Sequence, residues 1–148
     1  MKWIKRILVF LFVMVGIIYL GAGTFLYYNQ DKFLFLNEKL EDDYEFRKGE
    51  EQLIKVDDDI SLSCYINDVS NSKGVILYFH GNKGSVRRCI RQTESMEGLD
   101  YDIFMPDYRS YGKSDGKNTD EDQFFRDAQK VYDFLKTQYQ THFVQSLL

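Results

Sequence analysis

The chain has 148 residues, a formal net charge of −4, and a composition that is 44% hydrophobic and 16% aromatic. That is enough for one ordinary domain, and too apolar for a disordered chain. Basic residues form no long block, the closest group being Arg87, Arg88 and Arg91, so the charge pattern argues against nucleic-acid binding.

The first element is a membrane span. Ile7–Tyr28 contains no charged residue, and its 22 positions reach roughly 33 Å as a helix, enough for a hydrocarbon core of about 30 Å. Trp3, Tyr27 and Tyr28 lie near its two ends, where amphipathic rings prefer the interface. Lys2, Lys5 and Arg6 precede it, so the positive-inside rule puts the N-terminus in the cytoplasm and the rest outside. A cleaved signal peptide is the alternative, with Gly21-Ala22-Gly23 as small residues for cleavage, but its apolar core would be shorter. The organisation read from the chain is residues 1–30 as stub and anchor, 31–49 as a juxtamembrane connector, and 50–148 as a folded domain.

Gln52–Val56 and Ile60–Ile66 predict two short strands joined at Asp57-Asp58-Asp59, a solvated turn without the further oxygen ligands of a calcium loop. Val75–Phe79 is a continuous apolar run, as in a strand buried on both faces. The turn His80-Gly81-Asn82-Lys83-Gly84 follows, and Ser85 is placed to cap a helix over Val86–Glu97 that stops at Gly98. Tyr101–Pro106 predicts a second central strand. After a polar loop over 107–118, Asn118 and Glu121 resemble a capping box opening a helix over Thr119–Tyr139. Its apolar face would carry Phe124, Phe125, Ala128, Val131, Tyr132, Leu135 and Tyr139, with Asp127 at the edge and Asp133 opposite. The order β, β, β, α, β, α contains a βαβ unit. The tail, THFVQSLL, shows no pattern where the sheet should acquire its next strand, so the central sheet is expected to end on an unpaired apolar strand edge. Cys64 and Cys89 lack C-x-x-C spacing and a nearby histidine; they read as small buried side chains, with a single disulfide as the alternative.

Gly112-Lys113-Ser114-Asp115-Gly116 matches G-x-S-x-G, the nucleophile elbow of serine hydrolases. An elbow needs a strand directly before the serine and a helix directly after it, and Ser114 has neither. A triad of Ser114, Asp127 or Asp133, and His142 has the right chain order, but nothing in the pattern holds His142 near Ser114. His80 opens a glycine-flanked turn and reads as a positional residue rather than a base. Gly81 and Gly84 permit unusual backbone angles, so amides of this turn at the carboxyl end of a strand can face a developing oxyanion.

LYFHGNKG followed at this spacing by DIFMPDYRSYGKSDG, with Asp127, Ala128, Tyr132 and Leu135 in the next helix, resembles the α/β-hydrolase superfamily, most closely its membrane-anchored, serine-aminopeptidase-like branch. The resemblance runs from the anchor to about Tyr139. It implies the N-terminal part of an α/β-hydrolase fold, a mostly parallel sheet with an antiparallel start, behind one transmembrane helix. It makes His80, Gly81 and Gly84 turn-shaping residues and Asn82 the donor of an oxyanion-hole N–H, with Lys83 as the fallback. Asp107, Tyr108, Arg109, Tyr111, Gly112 and Ser114 become a loop beside the site, and Ser110 stands where many relatives have glycine.

In such proteins the nucleophile, acid and histidine come after the fifth strand. The expectation is therefore no complete catalytic set in this chain, which would be inactive alone. Full-length relatives would be serine hydrolases cleaving ester, thioester or amide bonds of small-molecule or peptide acyl substrates, with no cofactor or metal. The alternatives are a non-catalytic membrane-anchored interaction protein and a short esterase using Ser114. THFVQSLL reads as residues of a frameshift or truncation, or as the end of a genuine short form.

Overall fold

The computed structural model describes residues 2–96, 98–139 and 144–147. The chain divides into two compact units, Met1–Leu36 and Asn37–Leu148. The first is a single helix, α1 (Lys2–Leu34). Within Lys2–Gln30 an 18-residue window reaches a mean hydropathy of 2.4 with none of it buried, so the helix is long and apolar enough to cross a membrane. The helix runs past the apolar stretch into the polar segment 29–32, where Asn29 Nδ2 donates to the Phe25 carbonyl and Lys32 Nζ donates to Asn29 Oδ1. A lysine there also complements the negative end of the helix dipole.

The second unit holds a five-stranded sheet. Its strands are β1 (Glu50–Asp57), β2 (Ile60–Asn67), β3 (Val75–Tyr78), β4 (Asp102–Pro106) and β5 (Val144–Leu147). Their spatial order is β1-β2-β4-β3-β5. β1 pairs with β2 and β2 with β4 antiparallel; β4 with β3 and β3 with β5 are parallel. Two helices accompany the sheet, α2 (Val86–Thr93) between β3 and β4, and α3 (Glu121–Gln138) after β4.

β4 is buried along its whole length, as a strand covered on both faces must be. Side chains alternate across a sheet, and the packing follows that alternation. Phe104 joins Val75, Leu77 and the α3 residues Val131 and Leu135 in one cluster. Ile103 and Met105 join the α2 residues Val86 and Cys89 in another. The two helices therefore seal opposite faces. Cys64 and Cys89 are both free and buried, and burial raises both thiol pKa values.

Four local expectations change. β5 lies parallel to β3, with Val75 opposite Val144 and Tyr78 opposite Leu147, so the tail supplies the next strand of the sheet and the apolar strand β3 is paired on both sides. Parallel pairing is a long-range decision that leaves no trace in an eight-residue tail. α2 is shorter than expected, tightening into a 3₁₀ turn at Glu94–Met96. Ser85 occupies the position before α2 without a side-chain capping bond, because its Oγ donates to Glu38 Oε2. The box opening α3 is displaced by two residues. Asp120 accepts from the Gln123 amide, and Gln123 Oε1 accepts from the Thr119 amide.

The buried stripe of α3 is also rotated from the expected one. Gln123, Asp127, Val131 and Leu135 are buried, whereas Phe125 is 67% exposed. A polar side chain decides the rotation: Asp127 faces inward because a cation waits for it there.

Candidate functional site

Two loops leave the carboxyl ends of the parallel strands β3 and β4, the usual position for sites in open α/β sheets. One is the turn 79–84, the other the loop 107–118. Asp107, directly after β4, joins them. Its carboxylate accepts from the Val86 amide at 2.8 Å, so it supplies the N-terminal cap of α2 that Ser85 does not. The same Oδ1 lies 3.0 Å from His80 Nε2, with both side chains essentially buried, although the contact lacks hydrogen-bond alignment. The Asp107 backbone amide donates to the Ser63 carbonyl, tying the loop to β2.

Gly112 explains the tight return of this loop. Its φ is +49°, and a Cβ there would lie 1.9 Å from Asp107 Oδ2. Only glycine admits both the backbone angle and the carboxylate. Ser110 also has a left-handed φ, +63°, where the resemblance gives glycine; its carbonyl accepts from Asn37 Nδ2 at 2.6 Å.

The tyrosines of the loop reach back to the turn. Tyr108 Oη donates to the His80 carbonyl at 2.7 Å, and Tyr111 Oη donates to the Asn82 carbonyl at 2.9 Å. Phe79 stacks on Tyr108, and Phe124 of α3 meets Tyr108 edge-on. Burial, reinforced by Tyr111, Cys89 and Asp107, pushes the Tyr108 phenol up to about 12. Burial and then Asp107 raise that of Tyr111.

Arg109 points the other way, into α3. Its Nε and Nη2 donate to Asp127 Oδ2 and Oδ1 at 2.7 and 2.9 Å, a bidentate pair with both residues buried. Asp57 Oδ2 lies 3.6 Å away at the β1–β2 turn. Hydrogen bonding to Asp127 raises the Arg109 pKa further.

Ser114 is fully buried and fully engaged. Its Oγ donates to the Asp107 carbonyl at 2.8 Å and accepts from the Ser63 amide at 2.9 Å. Its carbonyl accepts from Lys39 Nζ at 2.6 Å. A nucleophile needs an exposed hydroxyl whose proton a base can reach; this hydroxyl closes a loop onto a strand. Asp127 belongs to Arg109, Asp133 is exposed and accepts from Gln129, and His142 lies outside the described residues.

The connector takes part as well. The Glu38 amide donates to the Gly84 carbonyl, and the Gly112 amide donates to the Glu38 carbonyl. Glu38 also pairs with Arg87. Lys113 binds Glu51 and the carbonyls of Asp42 and Tyr44. One short segment thus stitches turn and loop together. Gly81, Asn82 and Lys83, at the tip of the turn, are exposed, whereas Gly84 is buried with φ +91°.

Solved structures share this fold. An α/β serine hydrolase without lid from Xanthomonas campestris superposes with a TM-score of 0.57 at 16% identity, over 70% of this chain and 52% of its own. An α/β serine hydrolase homologue from Coxiella burnetii gives 0.53 at 15%, over 70% and 52%. An esterase from Pyrococcus furiosus gives 0.53 at 22%, over 71% and 44%. The chain has an α/β-hydrolase fold. It spans about half the length of the solved hydrolases it matches. No protein-family model matches the sequence.

In this chain the turn 80–84 follows β3 and the loop 107–116 follows β4. Sequence reasoning missed Glu38 and the inward turn of Asp127. Glu38 carries no local signal, because its partners are 46 or more positions away. Asp127 had one: a lone carboxylate beside an apolar stripe, in a chain with one arginine in its landmark loop.

Proposed function

We propose that this chain supplies the oxyanion-binding half of an acyl-transfer site, on a domain held at a membrane by α1. The observation that carries this reading is the turn at the end of β3, whose carbonyls are taken up by the side chains of His80, Tyr108 and Tyr111 while Gly81, Asn82 and Lys83 lie exposed. Asn82 is the first candidate donor to an oxyanion and Lys83 the second. With nucleophile, base and acid in place, such a site would cleave ester, thioester or amide bonds through an acyl-enzyme. Among the described residues no serine, base and acid come together, so the chain alone is inactive in this reading. Lys2, Lys5 and Arg6, ahead of the charge-free stretch of α1, favour a cytoplasmic N-terminus and an extracytoplasmic domain. The lineage that fits is the membrane-anchored, serine-aminopeptidase-like branch.

The test is a titration of the isotope-labelled full chain, in detergent micelles, with methylphosphonate, which carries the tetrahedral oxygens of an acyl-transfer intermediate. The Asn82 and Lys83 amide resonances are expected to shift; no response overturns the reading. A fluorophosphonate probe is expected to leave Ser114 unmodified, and an adduct on Ser114 would restore it as a nucleophile.

A second reading is a non-catalytic interaction protein. It draws on an apolar groove of about 350 Å³ lined by Phe79, Phe124, Phe125 and Tyr132 among others. A domain that unfolds cooperatively yet ignores methylphosphonate would favour it.

A further inference from the structure

We propose that Tyr108, Tyr111 and His80 are positioning residues that orient the amides of the turn 80–83. The use of that orientation rests on the oxyanion reading above; the orientation itself rests on geometry.

Three successive carbonyls in this turn are each held by a different side-chain donor. The His80 carbonyl takes the Tyr108 hydroxyl at 2.7 Å, the Gly81 carbonyl takes His80 Nδ1 at 2.7 Å, and the Asn82 carbonyl takes the Tyr111 hydroxyl at 2.9 Å. A carbonyl only accepts, so the hydrogen bond at the Gly81 carbonyl requires a proton on Nδ1. No peptide bond here is cis. Across a trans peptide the C=O of one residue and the N–H of the next point in opposite directions. Fixing the three carbonyls therefore aims the amides of Gly81, Asn82 and Lys83 away from the donors.

The donors form one body. The His80 ring lies 4.7 Å from Tyr108 and 5.4 Å from Tyr111, and the two tyrosines are 5.7 Å apart, centroid to centroid. All three carbonyls consequently meet one aromatic cluster of buried His80 and Tyr111 and half-buried Tyr108, and the amide that follows each carbonyl points to the other side of its peptide plane. Phe79, Phe124 and Asp107 brace the cluster from behind. The raised phenol pKa values keep both hydroxyls protonated, hence able to donate, throughout the neutral range. An anion arriving at this turn would meet dipoles already in place, which is the condition under which such donors are most effective.

The experiment uses the full chain, labelled with ¹³C and ¹⁵N, in micelles. Tyr108→Phe and Tyr111→Phe each delete one hydroxyl. The His80 carbonyl resonance is expected to move in the first variant and the Asn82 carbonyl resonance in the second. Each variant should bind methylphosphonate on the order of tenfold more weakly than the wild type, a modest loss for misdirected donors. Carbonyl resonances that stay in place overturn the clamp, and moved carbonyls with unchanged methylphosphonate affinity overturn its positioning role.

The wild-type chain offers a check that needs no substitution. Hydroxyl donation should give solvent-deuterium isotope shifts on the His80 and Asn82 carbonyl carbons, and their absence would overturn the clamp even if a variant failed to fold. A wild-type chain indifferent to methylphosphonate, with both isotope shifts present, would defeat the oxyanion reading instead.

Discussion

Ile7–Tyr28 is apolar and exposed along its length, whereas the loop from Asp107 to Ser114 is mostly polar and buried. Each inverts the usual relation between polarity and burial, and each does so for a different reason. The helix satisfies every interior backbone group within itself, so its apolar surface can be given to lipid. The loop buries Asp107, Arg109 and Ser114 because each has found a specific partner: the Val86 amide, the Asp127 carboxylate, and the Ser63 amide with the Asp107 carbonyl. The helix needs only composition. The loop needs coordinates, and a single lost partner leaves a stranded polar group.

That contrast can be broken most sharply at Arg109. Arg109→Ala leaves Asp127 buried without its cation and is expected to cost about 3–5 kcal/mol. Pairing Arg109→Met with Asp127→Leu should recover most of that loss, read as thermal or urea unfolding of the detergent-solubilised chain. Gly112→Ala comes next. Displacing Asp107 Oδ2 and holding alanine at φ +49° should together cost roughly 3 kcal/mol. Measured by the same unfolding, a loss below about 1 kcal/mol would show that the loop can relax around the new methyl group.

The helix side of the comparison is tested by Ile17→Arg, which puts a charge mid-span. Insertion should become less favourable by about 2.5 kcal/mol, seen as a larger fraction extracted from membranes by carbonate. An unchanged fraction would mean that α1 does not use the bilayer as its solvent. The smallest effect is expected from Ser110→Gly. Relief of a left-handed backbone, less the entropy of glycine, should stabilise the domain by about 0.5 kcal/mol. A destabilisation would show that the serine hydroxyl contributes more than its backbone costs.

Much of the fold was legible because it rests on local pattern. The charge-free run marks α1, the apolar runs mark β3 and β4, and glycines mark the turn and the loop. Distance along the chain also exposed GKSDG as a landmark rather than an elbow, since no strand or helix adjoins Ser114. The structure then gives Ser114 its actual partners, which lie 7 and 51 residues away. The capping of α2 was misread because Ser85 is the right residue type in the right place, yet Asp107, from 21 residues downstream, takes the amide. The face of α3 was misread because an apolar count gives Phe125 more weight than Asp127, and the buried arginine reverses that weight.

The sequence by itself determined an apolar N-terminal helix followed by a strand, turn, helix, strand and loop order. Those features depend on hydrophobic period, charge-free length and glycine placement, all of which are local. Tertiary structure alone decided that the tail pairs with β3, that Asp107 rather than Ser85 caps α2, and that two tyrosines and a histidine grip three consecutive carbonyls of the turn. Hydrogen bonds between distant segments depend on where the backbone has been carried, and no residue type announces in advance which partner it will meet.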